Sequence, residues 1–187
     1  WTTTIGAYNQ THEMIMRSKN MVLRRKMYNK LLDWKNECQG TKAIMVEGAR
    51  RIGKSTIVEE FAKQEYESYI LIDFAKKDKT VEEYFTQYLN KLDDFFMLLG
   101  TYYGVNLIPR KSVLIFDEVQ MFPQARAAIK YLVADGRFDY IETGSLISIK
   151  ENVKDIVIPS EERSVTMYPL DFEEFAWALG EEQLLNY

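Results

Sequence analysis

The spacing of apolar residues switches back and forth between two periods along this chain. From Met21 to Glu37, the residues Met21, Leu23, Met27, Leu31, Leu32 and Trp34 recur at mostly helical spacing, which predicts an amphipathic helix leading into a domain. Ala43–Glu47 is a short continuous apolar run of strand type, followed by a glycine-containing loop and a helical pattern from about Lys54 to Tyr66. Tyr69–Phe74 (YILIDF) reads as a second strand. Residues 80 to about 99 read as one helix with Val81, Tyr84, Phe85, Tyr88, Leu89 and Leu92 on one side. Ser112–Asp117 (SVLIFD) is a third strand, and Pro123 opens a helix through about Ala134, its missing N–H costing nothing in a first turn. Asp139–Glu142 (DYIE) is a fourth strand running into Thr143-Gly144-Ser145. Ser164–Tyr168 is a fifth, followed by a helix over Asp171–Leu179 that Gly180 stops. Strands alternating with helices predict right-handed crossovers and an α/β fold, a parallel sheet with helices on both faces.

Composition narrows the picture. With 187 residues, 47% of them hydrophobic, the chain is long enough for one domain with a sizeable core. Its single cysteine, Cys38, excludes an intrachain disulfide framework, and its single histidine, His12, leaves no Cys/His zinc constellation. No apolar run reaches the roughly 18–20 residues that span a bilayer, and residues 1–20 lack the apolar core of a signal peptide, so a cytoplasmic protein with no membrane partner is expected. The net charge of −4 gives no global reason to expect nucleic acid. One local run does: Arg17, Lys19, Arg24, Arg25, Lys26 and Lys30 follow one another with no acidic residue between them. It is either a solvated helix face or a DNA-binding one.

The chemistry starts at GARRIGKS, Gly48 to Ser55, which fits the phosphate-binding pattern G-x4-G-K-[ST] (Walker A) between a strand and a helix. The glycines let the backbone bend so that successive N–H groups face phosphate oxygens, and the helix contributes its positive end. The nucleotide-binding residues are expected to be Gly48, Ala49, Arg50, Arg51, Ile52, Gly53, Lys54, Ser55 and Thr56. Lys54 would reach the β- and γ-phosphates and Ser55 would ligate Mg²⁺. Because the backbone amides face the phosphate, the side chains of Arg50 and Arg51 should point largely away from it. Asp117-Glu118 after the strand VLIF forms the second half of such a site (Walker B). There Asp117 holds Mg²⁺ and Glu118 orients and deprotonates the attacking water. At the end of the fourth strand, Thr143, or alternatively Ser145, is a candidate sensor of the γ-phosphate or the water; either could instead cap a helix or turn. Asn90-Lys91-Leu92-Asp93 spells the guanine pattern NKxD, but it precedes Asp117-Glu118 in a helix-patterned stretch, so adenine is the expected base.

Taken in order, GARRIGKS, VLIFDEVQ, YIETGS and MYPLDFEEF resemble the AAA-type bacterial and archaeal ATPases that precede a C-terminal domain of unknown function. The resemblance runs from about Met21 to Leu179. It implies an ASCE-type P-loop NTPase core with sheet order 5-1-4-3-2, and it places Gln120 of the DExQ pattern near the active water. Pro169–Phe175 matches PLxFxEF, a segment expected to pack rather than to react. In relatives Gly-Arg precedes the last strand; here Glu161-Glu162-Arg163 stands there, which leaves Arg163 as a candidate contact to phosphate or to a neighbouring subunit.

The expectation from the sequence is therefore an Mg²⁺-dependent ATPase. Residues 1–20 are read as an extension or arm. Residues 21–187 are read as a core cut short of its C-terminal domain, for which it would be a switch or motor. A homo-oligomer or partner domain would then supply an arginine finger. The alternatives are a nucleotide-binding assembly module, or a DNA-associated one, with little turnover. A small-molecule kinase is disfavoured because the stretch 144–163 carries only two lysines and one arginine where a lid would need several.

Overall fold

A computed structural model describes residues 23–145 and 160–181. The sequence extension 1–20, with Arg17 and Lys19, lies outside them. Helix α1 spans Lys26–Cys38, β1 Ala43–Gly48, α2 Lys54–Glu65 and β2 Ser68–Asp73. After a 3-10 turn come α3 (Lys79–Gln87), α4 (Leu92–Tyr103) and β3 (Ser112–Asp117). A second 3-10 turn, Val119–Met121, leads to α5 (Pro123–Asp135), β4 (Asp139–Ser145), β5 (Glu162–Met167) and α6 (Phe172–Leu179).

All pairings in the sheet are parallel and its order is β2-β3-β4-β1-β5, the expected 5-1-4-3-2 read from the other edge. Parallel strands need crossovers, and crossovers put helices on the faces, so β1, β3 and β4 are buried along nearly their whole length. One face packs Ile44, Val46, Ile115 and Ile141 against Leu31 and Trp34 of α1 and Val58 and Phe61 of α2. The other packs Met45, Leu114 and Phe116 under α3, α4 and α5. There Phe85 meets Phe74, Phe95 and Phe116 edge-on at centroid distances of 5.7, 5.0 and 5.4 Å. Such edge-to-face geometry is favoured by the ring quadrupoles.

Three expectations need correcting. The single helix over residues 80–99 is two, because the chain turns at Tyr88–Lys91, where Lys91 N–H donates to Tyr88 O at 2.8 Å. Asp93 and Asp94 then stand in the first turn of α4, where carboxylates suit the helix's positive end. The leading helix begins at Lys26, not Met21, because Arg25 is extended (φ −130°) and Glu174 takes the first N–H of α1, Lys26 N, at 2.7 Å. The fifth strand starts earlier, at Glu162, and ends at Met167, leaving Tyr168 exposed.

Beneath β4 lies a buried polar cluster. Arg126 of α5 donates to both oxygens of Glu162, Nε at 3.1 Å and Nη2 at 2.8 Å, with both side chains almost fully enclosed. Beside them Glu142 is fully buried, and neither of its carboxyl oxygens has a hydrogen-bond partner among the described residues. Burial, and then the charge of Glu162, push the Glu142 carboxyl well above the usual carboxylate range, with Arg126 opposing. Glu142 thus keeps its proton in the fold to a higher pH than in the unfolded chain. Its contribution is present in full below the unfolded pKa and is lost as pH rises toward the folded one. The slope is about 1.4 kcal/mol per pH unit and proton. Glu142→Gln should therefore flatten the fall in thermal midpoint between pH 5 and pH 8 and raise the midpoint at pH 8. Equal slopes in variant and wild type would show Glu142 ionised in the fold.

Candidate functional site

At the carboxyl ends of the strands, β1 ends on Gly48, a position where nothing larger fits. A Cβ there would collide with the Met167 carbonyl of β5 and lie 2.9 Å from Ile52 Cδ1. The loop then closes through Gly53 at φ +91°, a backbone conformation that L side chains rarely adopt, and α2 begins at the next residue. Arg51 takes a left-handed conformation too, φ +63°, with its side chain exposed. Ala49, Arg50 and Thr56 are also exposed, and Ile52 is half-buried. Lys54, by contrast, is buried, and its ammonium donates to Gly48 O at 3.2 Å and Ala49 O at 2.8 Å. Burial lowers the Lys54 pKa; Glu118 and then Asp117 pull it back up, and Arg50 pushes it down. The charge of Arg50 therefore reaches the site although its side chain is exposed.

Two long-range hydrogen bonds converge on the acidic pair, one from the loop motif and one from β4. Ser55 Oγ donates to Asp117 Oδ1 at 2.7 Å, and the buried Thr143 hydroxyl donates to the same oxygen. Thr143 Oγ1 in turn accepts the Glu118 N–H at 3.2 Å. Glu118 sits at φ +54°, strained for a residue with a side chain, and its carboxylate accepts from Gln120 Nε2. Gln120 is itself buried and its Oε1 has no partner among the described residues. Gly48–Thr56, Asp117, Glu118, Gln120 and Thr143 are thus brought to one place. The Thr143 hydroxyl is spent on Asp117 and Glu118, a holding function that the sequence reading did not foresee. Ser145 stands opposite Gly48 in the register of β4 and β1.

Two other residues that the sequence singled out, the candidate Arg163 and Asp93 of the discounted NKxD pattern, are elsewhere. Arg163 lies opposite Ile44, four residues below Gly48, or roughly 13 Å at ~3.3 Å per residue, and pairs with Glu37 at 2.6 Å. It does not reach this site. Asp93 of the NKxD stretch pairs with Arg137 at 2.6 Å, and Arg137 precedes the start of β4, at the opposite end of the sheet. The described part of the basic run is largely engaged as well. Arg25 is buried against Glu174, and Lys26 pairs with Asp171 at 2.7 Å and Glu173 at 2.6 Å.

The donor set fits Mg²⁺ and a nucleotide. Ser55 and Asp117 offer oxygen ligands, the type this hard cation prefers. In phosphoryl-transfer sites it takes only one or two carboxylates, the rest coming from water and phosphate. The buried ammonium and the left-handed Gly53 suit an anion.

Strand order, loop and acidic pair together define a P-loop NTPase-like protein of AAA type. Residues 40–176 match the model of the AAA domain family, and the chain belongs to that family. It is a nucleotide-binding module of ATPase type. Among solved structures it is similar to that of C. elegans PCH-2, with a TM-score of 0.44 and 14% identity. The match covers 82% of this chain and 45% of that one, so the chain spans less than half the length of that relative. No curated protein matches the chain in sequence. No helix among the described residues is long and apolar enough to cross a membrane.

Proposed function

We propose that the chain binds Mg²⁺·ATP on residues 48–56 and hydrolyses its γ-phosphate. The observation that carries this reading is the Asp117 carboxylate, which ties Ser55 of the loop to Thr143 and, through Thr143, to Glu118. The loop's N–H groups and Lys54 bind and orient the β- and γ-phosphates. Ser55 and Asp117 would hold Mg²⁺, which would offset the negative charge developing on the phosphates. Glu118 accepts a proton from a water that Gln120 helps to orient. The water oxygen bonds to the γ-phosphorus as the bond to the bridging oxygen breaks, releasing ADP and phosphate. Thr143 keeps Asp117 and Glu118 in place.

In the cell this module would work in the cytoplasm as a switch or motor for a partner domain, or within a homo-oligomer. One observation favours slow basal turnover: the Glu118 carboxylate is already hydrogen-bonded by Gln120. That contact occupies a carboxylate oxygen which a water's proton would otherwise reach, until the contact opens.

Thermal midpoint and phosphate release measured with ATP and with GTP, each with Mg²⁺ or EDTA, test the reading. The expected result is a larger shift with ATP than with GTP, and ATP turnover that EDTA or Asp117→Asn abolishes. Turnover indifferent to both, or no shift with either nucleotide, would overturn it.

A further inference from the structure

Arg25 stands just ahead of α1, at a distance in sequence from every element of the loop, yet its side chain is only 9% exposed. Its guanidinium spends each edge on a different segment. Nη1 donates to Ile52 O in the loop at 2.9 Å, and Nη2 donates to Tyr168 O, just after β5, at 2.7 Å. Nε lies 3.2 Å from Glu174 Oε1 on α6, an ion pair that lacks hydrogen-bond geometry. Glu174 is held in turn. The same oxygen takes the Lys26 N–H at 2.7 Å, and Oε2 accepts Asp171 N–H at 3.2 Å. Asp171 Oδ1 returns the bond to Glu174 N–H at 2.9 Å, closing a capping box. The planar, always-charged fork of arginine suits this three-way junction, and a lysine ammonium on a single point could not reproduce it.

The bond to Ile52 O matters most. In a planar trans peptide the C=O and the following N–H point in opposite directions. Holding Ile52 O on Arg25 therefore turns the Gly53 N–H to the side away from Arg25. Gly53, at φ +91°, has the backbone freedom of a glycine, and among the described residues beyond its chain neighbours the one atom within 4 Å of a Cβ built there is Arg25 Nη1, at 3.8 Å. A loop whose amides must be aimed before the ligand arrives binds better when they are fixed in advance.

Resting on the nucleotide reading above, we infer that Arg25 is a positioning residue for the nucleotide. It locks the Ile52–Gly53 peptide of the loop and anchors it, through Glu174, to α6. By reciprocity, anything that displaces α6 weakens the loop's hold on phosphate, and bound nucleotide holds α6 in place.

The test is titration of Mg²⁺·ATP into wild type, Lys54→Ala, Arg25→Lys, Arg25→Ala and Glu174→Gln. Far-UV circular dichroism and the nucleotide-free thermal midpoint serve as controls. Arg25→Lys is expected to weaken binding about tenfold, the value of lost charge-assisted hydrogen bonds, with the loss falling on Kd and KM more than on kcat. Methylguanidinium at millimolar concentration should restore part of the affinity to Arg25→Ala. Glu174→Gln, which keeps its shape and leaves both carbonyl contacts of Arg25, should lose less than Arg25→Lys. It also carries the test if the Arg25 variants fail to fold, and wild-type affinity in Glu174→Gln would then overturn the anchoring to α6. A folded Arg25→Lys that binds within twofold of wild type overturns the inference. So does a loss shared equally by kcat and KM that methylguanidinium does not relieve. If wild type binds no better than Lys54→Ala, the nucleotide reading itself falls; if Lys54→Ala alone loses binding, only the role of Arg25 falls.

Discussion

Glu118→Gln is expected to slow phosphate release by about 10²–10⁴-fold while leaving the Kd for Mg²⁺·ATP within about threefold of wild type. The substitution keeps the contacts that position the residue. Glutamine's carbonyl still accepts from Gln120 Nε2, the backbone N–H still reaches Thr143 Oγ1, and the left-handed backbone at φ +54° suits both side chains equally badly. What disappears is the basicity that takes the water's proton. A second consequence checks the electrostatics. Glu118 is the strongest of the charges raising the Lys54 pKa against burial, so its loss lowers that pKa further. Nucleotide affinity should then decline at a lower pH in the variant than in wild type as pH is raised, because Lys54 gives up its proton sooner. Single-turnover phosphate release and nucleotide titration across pH measure both effects. Equal hydrolysis rates in variant and wild type would remove Glu118 as the base and leave a nucleotide-binding module with little turnover.

The elements that carry the site were legible because each is written in a local pattern. The run AIMV, the glycines of GARRIGKS and the helix spacing after Lys54 define strand, loop and helix within a few residues of one another. Sheet order was not local; it came from the family resemblance, and the structure agrees with it. The split between α3 and α4 was missed because the apolar period carries on through Leu89, Leu92, Phe95 and Leu99 with no glycine or proline to break it. Asp93-Asp94 was the helix-start signal that could have revealed it.

Glu142 was invisible for a different reason. A central strand of a parallel sheet is buried on both faces, so an acidic residue there looks from the sequence like one half of an ordinary alternation. Arg25 had no local signal at all. In sequence it is one of several basic residues in a row; in the fold it is where the start of α1, the loop, the chain after β5 and α6 meet. The same network gives PLDFEEF a firmer role than packing alone, since its Asp171 and Glu174 hold the residue that holds the loop.

Lys54→Ala is expected to weaken Mg²⁺·ATP binding by about 30-fold or more, and Arg51→Ala by less than about threefold. The two residues lie three apart on one loop and carry the same charge, so the difference rests on placement. The Lys54 ammonium is enclosed, with two of its three protons on Gly48 O and Ala49 O and the remaining one left for a phosphate oxygen. In that low-dielectric setting the attraction to phosphate is screened little. Arg51 is exposed, and its contribution is damped by water and salt. Truncation to alanine also leaves its left-handed backbone, φ +63°, under the same constraint as before, so the loop should keep its shape. Arg50, whose charge does lower the Lys54 pKa, should fall between them. Titration of the three variants at low and at physiological ionic strength separates the cases: the Lys54→Ala loss should persist in salt, and any small effect of Arg51→Ala should fade. Comparable losses at both residues would instead show the Arg51 guanidinium in contact with the nucleotide.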